Sequence, residues 1–359
     1  MKRTINLFDT EYPLVSIRVF NYNYGKYLRD CLESAVNQTY PNIEICFSDN
    51  CSTDESWEIA LEYQRHYPKI FSIARNASNK GVYGNIVNCA VFTRGRYMLH
   101  LCSDDALAVN FIEKCVSAFK QYPDCGMVMV NRNIMDESNN ITPEPPFYNQ
   151  SCIIDGKEQA AVFMMAAVNP SVSQILYDYR KYKSCVGNTP LTLSGRWYAM
   201  RIADFTMSCN FPMGYIKEPL LKHRIHAMND SIGAAKDLIE IVGPYVLHRQ
   251  FTEIARPAKA TKAIERLPAA TEKLSQLCLR YSIKSIIWDE PELASRYLHL
   301  SVAVWTGIQN NPDFKDLHDY MLAGEDEKDI IYQRLKEKSN FETRNVSYDP
   351  PPGSISLHL

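Results

Sequence analysis

RYMLHLCSDDALAVN, residues 96–110, is the stretch from which the rest of the chain can be read. The apolar run Tyr97 to Cys102 predicts a short buried strand, and two adjacent carboxylates, Asp104 and Asp105, follow it. Adjacent acids at the end of a buried strand repel each other. A hard divalent cation, Mg²⁺ or Mn²⁺, would hold them together and leave open positions for phosphate oxygens. The plainer reading is a helix start, with Ser103 or Asp104 capping a segment from Ala106 and Asp105 complementing the helix dipole.

On the N-terminal side the pattern repeats. Leu14 to Phe20 (LVSIRVF) predicts a strand that runs into the turn Asn21-Tyr22-Asn23-Tyr24-Gly25. From Tyr27, residues Leu28, Cys31, Leu32 and Ala35 share one face at helical spacing. Ile43 to Phe47 is a second strand, ending in Ser48-Asp49-Asn50, and a helix over Glu55 to His66 follows, capped by Thr53 or Asp54. Ile70 to Ala74 is a third strand. The loop Asn79-Lys80-Gly81-Val82-Tyr83-Gly84-Asn85 then opens a helix through Phe92. Strands alternating with helices over short links predict a parallel, doubly wound α/β sheet. Ligands bind such sheets outside the carboxyl ends of the strands, where every polar cluster just named falls.

With 359 residues there is room for a full α/β domain and a smaller one. A net charge of -2 lacks the basic excess of a nucleic-acid binder. The eleven cysteines are scattered, so a reducing, cytoplasmic setting with free thiols is expected. The first ten residues hold no apolar core of signal-peptide length, and no apolar run approaches the roughly 18–20 residues of a membrane span. His223 and His226 have no CxxC companion, which argues against structural zinc.

The succession VSIRVFNYNYGKYLRDCLESAVNQTYPNIEICFSDNCSTDES, then NKGVYGN, then GRYMLHLCSDD, resembles the family 2 glycosyltransferases of GT-A fold, over about residues 13–232. The resemblance implies a Rossmann-like, mainly parallel sheet flanked by helices. It implies a metal-dependent, inverting enzyme that moves a sugar from a nucleotide diphosphate, a UDP-sugar or other pyrimidine nucleotide, to a glycan or lipid-linked acceptor in surface polysaccharide biosynthesis. Tyr22 then matches the aromatic residue against the base, with Asn23 beside it, and Asp49 the carboxylate that accepts from the base imide. Asn79, Lys80 and Asn85 match the loop that approaches the nucleotide. Asp104 lies near the ribose or metal, and Asp105 holds Mn²⁺ or Mg²⁺ on the diphosphate. Asp204 matches the catalytic base, which must take the acceptor proton. In Lys222-His223-Arg224-Ile225-His226, Arg224 binds phosphate or pins its loop and His226 is a further metal ligand. Cys102 and Asn50 stand where many relatives have acids, and Arg18 occupies a strand position that is usually apolar.

Beyond Asn110, the chain predicts a helix from Phe111, a strand at Cys125 to Val130, a proline-rich loop, and amphipathic helices at Gly156–Val168 and Trp197–Ala203. The expected division is a GT-A domain over 1–235, with a nucleotide-binding half at about 13–110 and an acceptor half at about 111–235. A helical domain follows over 236–342, and then a flexible tail over 343–359. Between Arg249 and Lys284, Arg256, Lys259, Lys262, Arg266, Lys273 and Arg280 outnumber the acids. They form either a solvated face or a peripheral contact with the inner face of an anionic membrane or a lipid-linked acceptor. A non-catalytic nucleotide-sugar or glycan-binding module on the same fold is the alternative. A dinucleotide-dependent oxidoreductase is disfavoured, because no G-x-G-x-x-G follows the first strand.

Overall fold

The computed structural model describes residues 5–7, 9–165, 170–187, 198–229, 236–338 and 347–359. The first hundred residues follow the predicted alternation: β1 (Val15–Asn21), α1 (Gly25–Val36), β2 (Ile43–Asp49), α2 (Ser56–His66), β3 (Phe71–Arg75), α3 (Gly81–Phe92) and β4 (Tyr97–Cys102). After it come β5 (Ala106–Leu107), α4 (Phe111–Gln121), β6 (Met127–Met135), β7 (Ile141–Thr142), β8 (Cys152–Ile154) and α5 (Gly156–Met164). Then β9 (Ile175–Asp178), α6 (Tyr179–Cys185), α7 (Ala199–Asn210) and β10 (Met213–Arg224) close this part.

These strands form one mixed sheet with the order β8-β10-β6-β9-β4-β1-β2-β3. From β3 to β4 every pairing is parallel, and β6 and β10 also run parallel. Between the two parallel blocks β9 runs antiparallel to both β4 and β6. Parallel strands are covered on both faces, so they read as nearly continuous apolar runs. Ile17, Val19, Ile45, Phe47, Leu99 and Leu101 accordingly pack with Leu28, Leu32 and Ala35 of α1 in one core. The other face carries a second core, built from Met98, Met129, Tyr177 and the inner sides of α5 and α7. The acids of residues 104–105 therefore stand at the carboxyl end of a central strand, not at the start of a long helix.

The predicted helix over 156–168 ends at Met164, with residues 166–169 outside the described chain. The one predicted over 197–203 begins at Ala199 and runs on to Asn210, and Trp197 is likewise outside. Among the described residues six α-helices follow: α8 (Ile239–Ala258), α9 (Thr261–Glu265), α10 (Leu267–Ile287), α11 (Pro291–Val304), α12 (Pro312–Leu322) and α13 (Glu325–Lys338). They are not a detached bundle. Phe251 of α8 stacks on Phe205 of α7 at 4.0 Å between ring centres, so α8 completes the second core of the sheet domain. All eleven cysteines are free.

The tail is ordered where it is described, which corrects the expectation of a flexible end. β11 (Ile355–Ser356) adds antiparallel to β8 and covers that edge of the sheet. Leu357 is buried in the first core, and the Asn149 amide donates to Asp349 at 2.5 Å. The polyproline run masked a short alternation, Ile355-Ser356-Leu357, that suits an edge strand. Leu357→Ala is expected to lower stability by about 2 kcal/mol, the low end for an aliphatic side chain lost from a core. A thermal melt unchanged from wild type would show that the tail carries no load.

Candidate active site

The carboxyl ends of β1, β2 and β4 converge, and α3 and the segment after β10 close around them. The first cluster is built on Asp49. Its carboxylate is fully buried and receives Ser52 Oγ at 2.5 Å, the Ser52 amide at 2.9 Å and Asn21 Nδ2 at 3.1 Å, and it pairs with Arg75 at 3.3 Å. Three hydrogen bonds and one ion pair thus tie Asp49 to the turn after β2, to β1 and to β3. Asn50 staples the next loop: its side-chain oxygen accepts from the Lys80 amide at 2.9 Å and its nitrogen donates to Asn79 Oδ1 at 2.8 Å. Asn79 also accepts from the Gly81 amide, where φ of +71° suits glycine. Asn85 bridges Ser48 and the Asn21 carbonyl. Asn23, itself left-handed at φ 56°, accepts from the Thr53 amide. The Tyr22 ring stands exposed beside this cluster, and Lys80 is exposed at the start of α3.

The second cluster separates the two acids after β4. Asp105 is fully buried. One oxygen receives His223 Nδ1 and the Arg224 amide, both at 3.0 Å; the other receives Ser173 Oγ at 2.6 Å and Ser171 Oγ at 3.2 Å. Burial works to raise its pKa, but these donors outweigh it and hold the carboxyl below the usual range. Asp105 thus bolts β4 to β10 and to the turn before β9, and its four acceptor positions are taken. The expectation that it carries the cation meets a carboxylate with no free lone pair.

Asp104 is in the opposite condition. His226 Nε2 lies 3.2 Å from its Oδ2 and Asn229 Nδ2 lies 3.3 Å from the same oxygen. Burial raises its pKa, the His226 contact opposes this, and the Asp105 charge raises it further. The His226 ring packs between Tyr27 and Tyr24, at 4.5 and 5.3 Å between ring centres, and Tyr24 ties the cluster back to β1. Arg224, 1% exposed, donates to the Asp104 and Asp136 carbonyls and to Asn139, pairs with Asp30 at 2.9 Å and lies over Tyr27. Four of its five N–H donors are engaged within the fold, tying the start of the loop after β10 to α1, to β4 and to the turn after β6.

Asp204 lies apart from both clusters. It sits in the middle of α7, fully buried, where the Tyr177 hydroxyl donates to it at 2.5 Å and Arg201 pairs with it at 3.1 Å. Burial raises its pKa, which suits a base, yet it has no exposed surface on which to meet an acceptor hydroxyl.

Can the residues present hold a divalent cation? Ligand atoms of Cys102, Asp104 and Asp105 lie within 4.8 Å of one another. The Cys102 thiol is pushed well above its ordinary pKa by burial and by the two acids, so it stays protonated and is a poor partner for a hard ion. Asp104 and His226 remain, and one carboxylate with one imidazole suits an ion that takes its other ligands from phosphate and water. The buried Ser103 hydroxyl, just after β4, and Asn21 Oδ1, at the end of β1, lack hydrogen-bond partners. Both unsatisfied atoms lie at the strand ends where a ligand is expected. Sequence reasoning missed Ser171, Ser173 and His223, the residues that commit Asp105. No local signal marks them, since each acquires its role only when β9 and β10 pair into the sheet.

The mostly parallel sheet flanked by helices is a GT-A fold. The chain superposes on residues 1–349 of S. aureus TarS, crystallised with UDP-GlcNAc, with a TM-score of 0.54, covering 96% of this chain and 99% of that one at 12% identity. Residues 16–176 match Glycosyl transferase family 2. Among curated relatives, the chondroitin synthase of Escherichia coli is 39% identical over 132 residues, 36% of this chain and 19% of the synthase. The hyaluronan synthase of Pasteurella multocida is 32% identical over 131 residues, 36% of this chain and 13% of that protein. The Escherichia coli enzyme WfaP, a UDP-Glc:α-D-GlcNAc-diphosphoundecaprenol β-1,3-glucosyltransferase, is 41% identical over 93 residues, 26% of this chain and 36% of that one. The chain thus spans well under two thirds of these relatives. No described helix is long and apolar enough to cross a membrane.

Proposed function

We propose that the chain transfers a sugar, with inversion, from a UDP-sugar or related pyrimidine nucleotide to a glycan or lipid-linked acceptor in polysaccharide synthesis. The observation that carries this reading is the division of labour after β4: Asp105 is committed to the scaffold, while Asp104 is held beside His226 at a raised pKa. TarS with UDP-GlcNAc on the same fold, and a synthase and a UDP-glucose-dependent transferase among the relatives, support the class of sugar donor.

Asp104 and His226 would hold Mg²⁺ or Mn²⁺, which when bound neutralises charge on the departing diphosphate. Tyr22, exposed at the end of β1, offers its ring face to the base. Lys80 stands where a phosphate would benefit from a cation. Asn23, Asn79 and Asn85 act on the nucleotide indirectly, by fixing the loops that carry Tyr22 and Lys80. Asp49 and Arg224 are likewise positioning residues.

Asp204 is assigned a positioning role through Tyr177, because its carboxylate is enclosed. Asp204→Asn is therefore expected to keep transfer within about tenfold of wild type, and sugar-donor affinity unchanged. A general base contributes about 10²–10⁴-fold, so a loss of that size with intact UDP binding would return Asp204 to the base role. The enclosed Asp204 also favours a second reading, a module that binds a nucleotide sugar without turning it over. Slow, metal-dependent release of UDP from UDP-glucose or UDP-GlcNAc supports the enzyme. Nucleotide binding without any release supports the module.

A further inference from the structure

α3 is amphipathic in the inverted sense. Toward the sheet it buries Asn85 and Cys89. Toward the outside it turns Tyr83, Val87 and Val91, which are 52%, 46% and 76% exposed, with Val82 beside them. Spaced four apart, the three form a ridge about 12 Å long. No residue of α3 is charged. A surface helix ordinarily shows water a polar face, as α1 does with Lys26, Arg29, Asp30 and Glu33. A row of large apolar side chains on an uncharged helix marks a surface that meets something other than water.

The neighbourhood of the ridge is cationic. Lys80 stands exposed at the start of α3 and Arg94 just beyond its end, although Arg94 also pairs with buried Glu44. α6 lies beside that end: Arg18 donates from Nε to Thr93 Oγ1 at 2.7 Å and stands 4.9 Å over the Tyr179 ring. α6 holds Arg180, Lys181 and Lys183 and no acid. Lys181 is tied to the Pro123 and Cys125 carbonyls. Arg180 and Lys183 are exposed, and Lys183 lies against the Tyr179 ring at 4.6 Å. From Tyr63 to Ser103 the chain holds no acid at all. An apolar ridge between exposed cations is complementary to anionic headgroups above hydrocarbon. A second copy of the chain fits less well, because a two-fold contact on this ridge brings the same cations together.

We propose that α3 and α6 form the face by which the chain docks on an anionic membrane surface. Tyr83, Val87 and Val91 enter the boundary between headgroups and acyl chains, and Arg180 and Lys183 meet lipid phosphates. α3 begins at the strand-end site, through Lys80 and Asn85, so the docked surface adjoins that site. Of the two basic regions, this one carries the contact, and not the stretch between Arg249 and Lys284. The inference rests on exposed residues of α3 and α6 and stands whether or not the chain transfers a sugar.

The test is co-sedimentation of the full chain with phosphatidylcholine vesicles, with and without phosphatidylglycerol. Binding is expected only when phosphatidylglycerol is present, and it should weaken as salt is raised. Val87→Asp/Val91→Asp, changed only at exposed positions, should bind at least about tenfold more weakly while melting as wild type does. Arg180→Gln/Lys183→Gln, which leaves the ridge intact, should lose a similar factor. Arg256→Gln/Lys259→Gln, in the other basic region, should bind as wild type does. No binding to the acidic vesicles, undiminished binding in either of the first two variants, or a loss confined to the third would each overturn the proposal. Sedimentation velocity without lipid checks the other occupant, and wild type and Val87→Asp/Val91→Asp should show the same oligomeric state. A dimer that this variant turns into a monomer would assign the ridge to a second copy and overturn the membrane reading.

Discussion

Asp105→Asn is expected to destabilise the protein by about 3–5 kcal/mol, the range for breaking a buried, fully hydrogen-bonded charge network. Asparagine keeps the shape of the side chain but turns one acceptor into a donor. Its NH₂ would then face either the two serine hydroxyls or the His223 ring and the Arg224 amide. The pH dependence follows from the direction of the shift. A carboxyl held below its unfolded-state value stabilises the fold at every pH above that value, near 4, and loses this contribution as pH falls through the lower, folded value. The gap between wild type and variant in urea melts should therefore be full at neutral pH and shrink in acid. Equal stability at neutral pH would show that Asp105 is not a structural bolt.

Asp104→Asn should behave in the opposite way. A carboxyl held above its unfolded-state value weakens the fold as pH rises past about 4, and the full cost is present above the raised, folded value. Removing the charge is expected to raise the metal-free melting temperature at neutral pH. It should also abolish cation-dependent release of UDP, by at least about 100-fold, since the cation loses its only carboxylate with capacity to spare. Stability given up at a site and recovered by a ligand is the usual mark of function. A variant that melts lower than wild type and keeps its turnover would place the cation elsewhere.

The first hundred residues were legible because their local signals agree. α1 shows its buried face in Leu28, Cys31, Leu32 and Ala35, the strands are largely apolar with Arg18, Glu44 and His100 as exceptions, and the polar clusters fall where strands end. From this follow the parallel sheet and the position of the acidic pair at a strand end. The use of each acid was not legible. Asp49, Asp104, Asp105 and Asp204 are chemically the same residue, and what separates them is how many donors the folded chain brings to each. For Asp105 those donors come from segments 66 to 119 residues away. For Asp204 the partner is a tyrosine on β9, whose strand signal is only four residues long. The tail was misread for a related reason: Pro350 to Pro352 reads as a linker, but the edge of β8 pairs with the residues just beyond it.

The most direct measurement is the thermal shift given by UDP with Mn²⁺, taken on wild type and Asp104→Asn side by side. Wild type should gain several degrees only when both are present, and Asp104→Asn, though folded, should gain none beyond the effect of UDP alone. An undiminished Mn²⁺-dependent gain in Asp104→Asn would contradict the assignment of Asp104 as the acid that meets the cation.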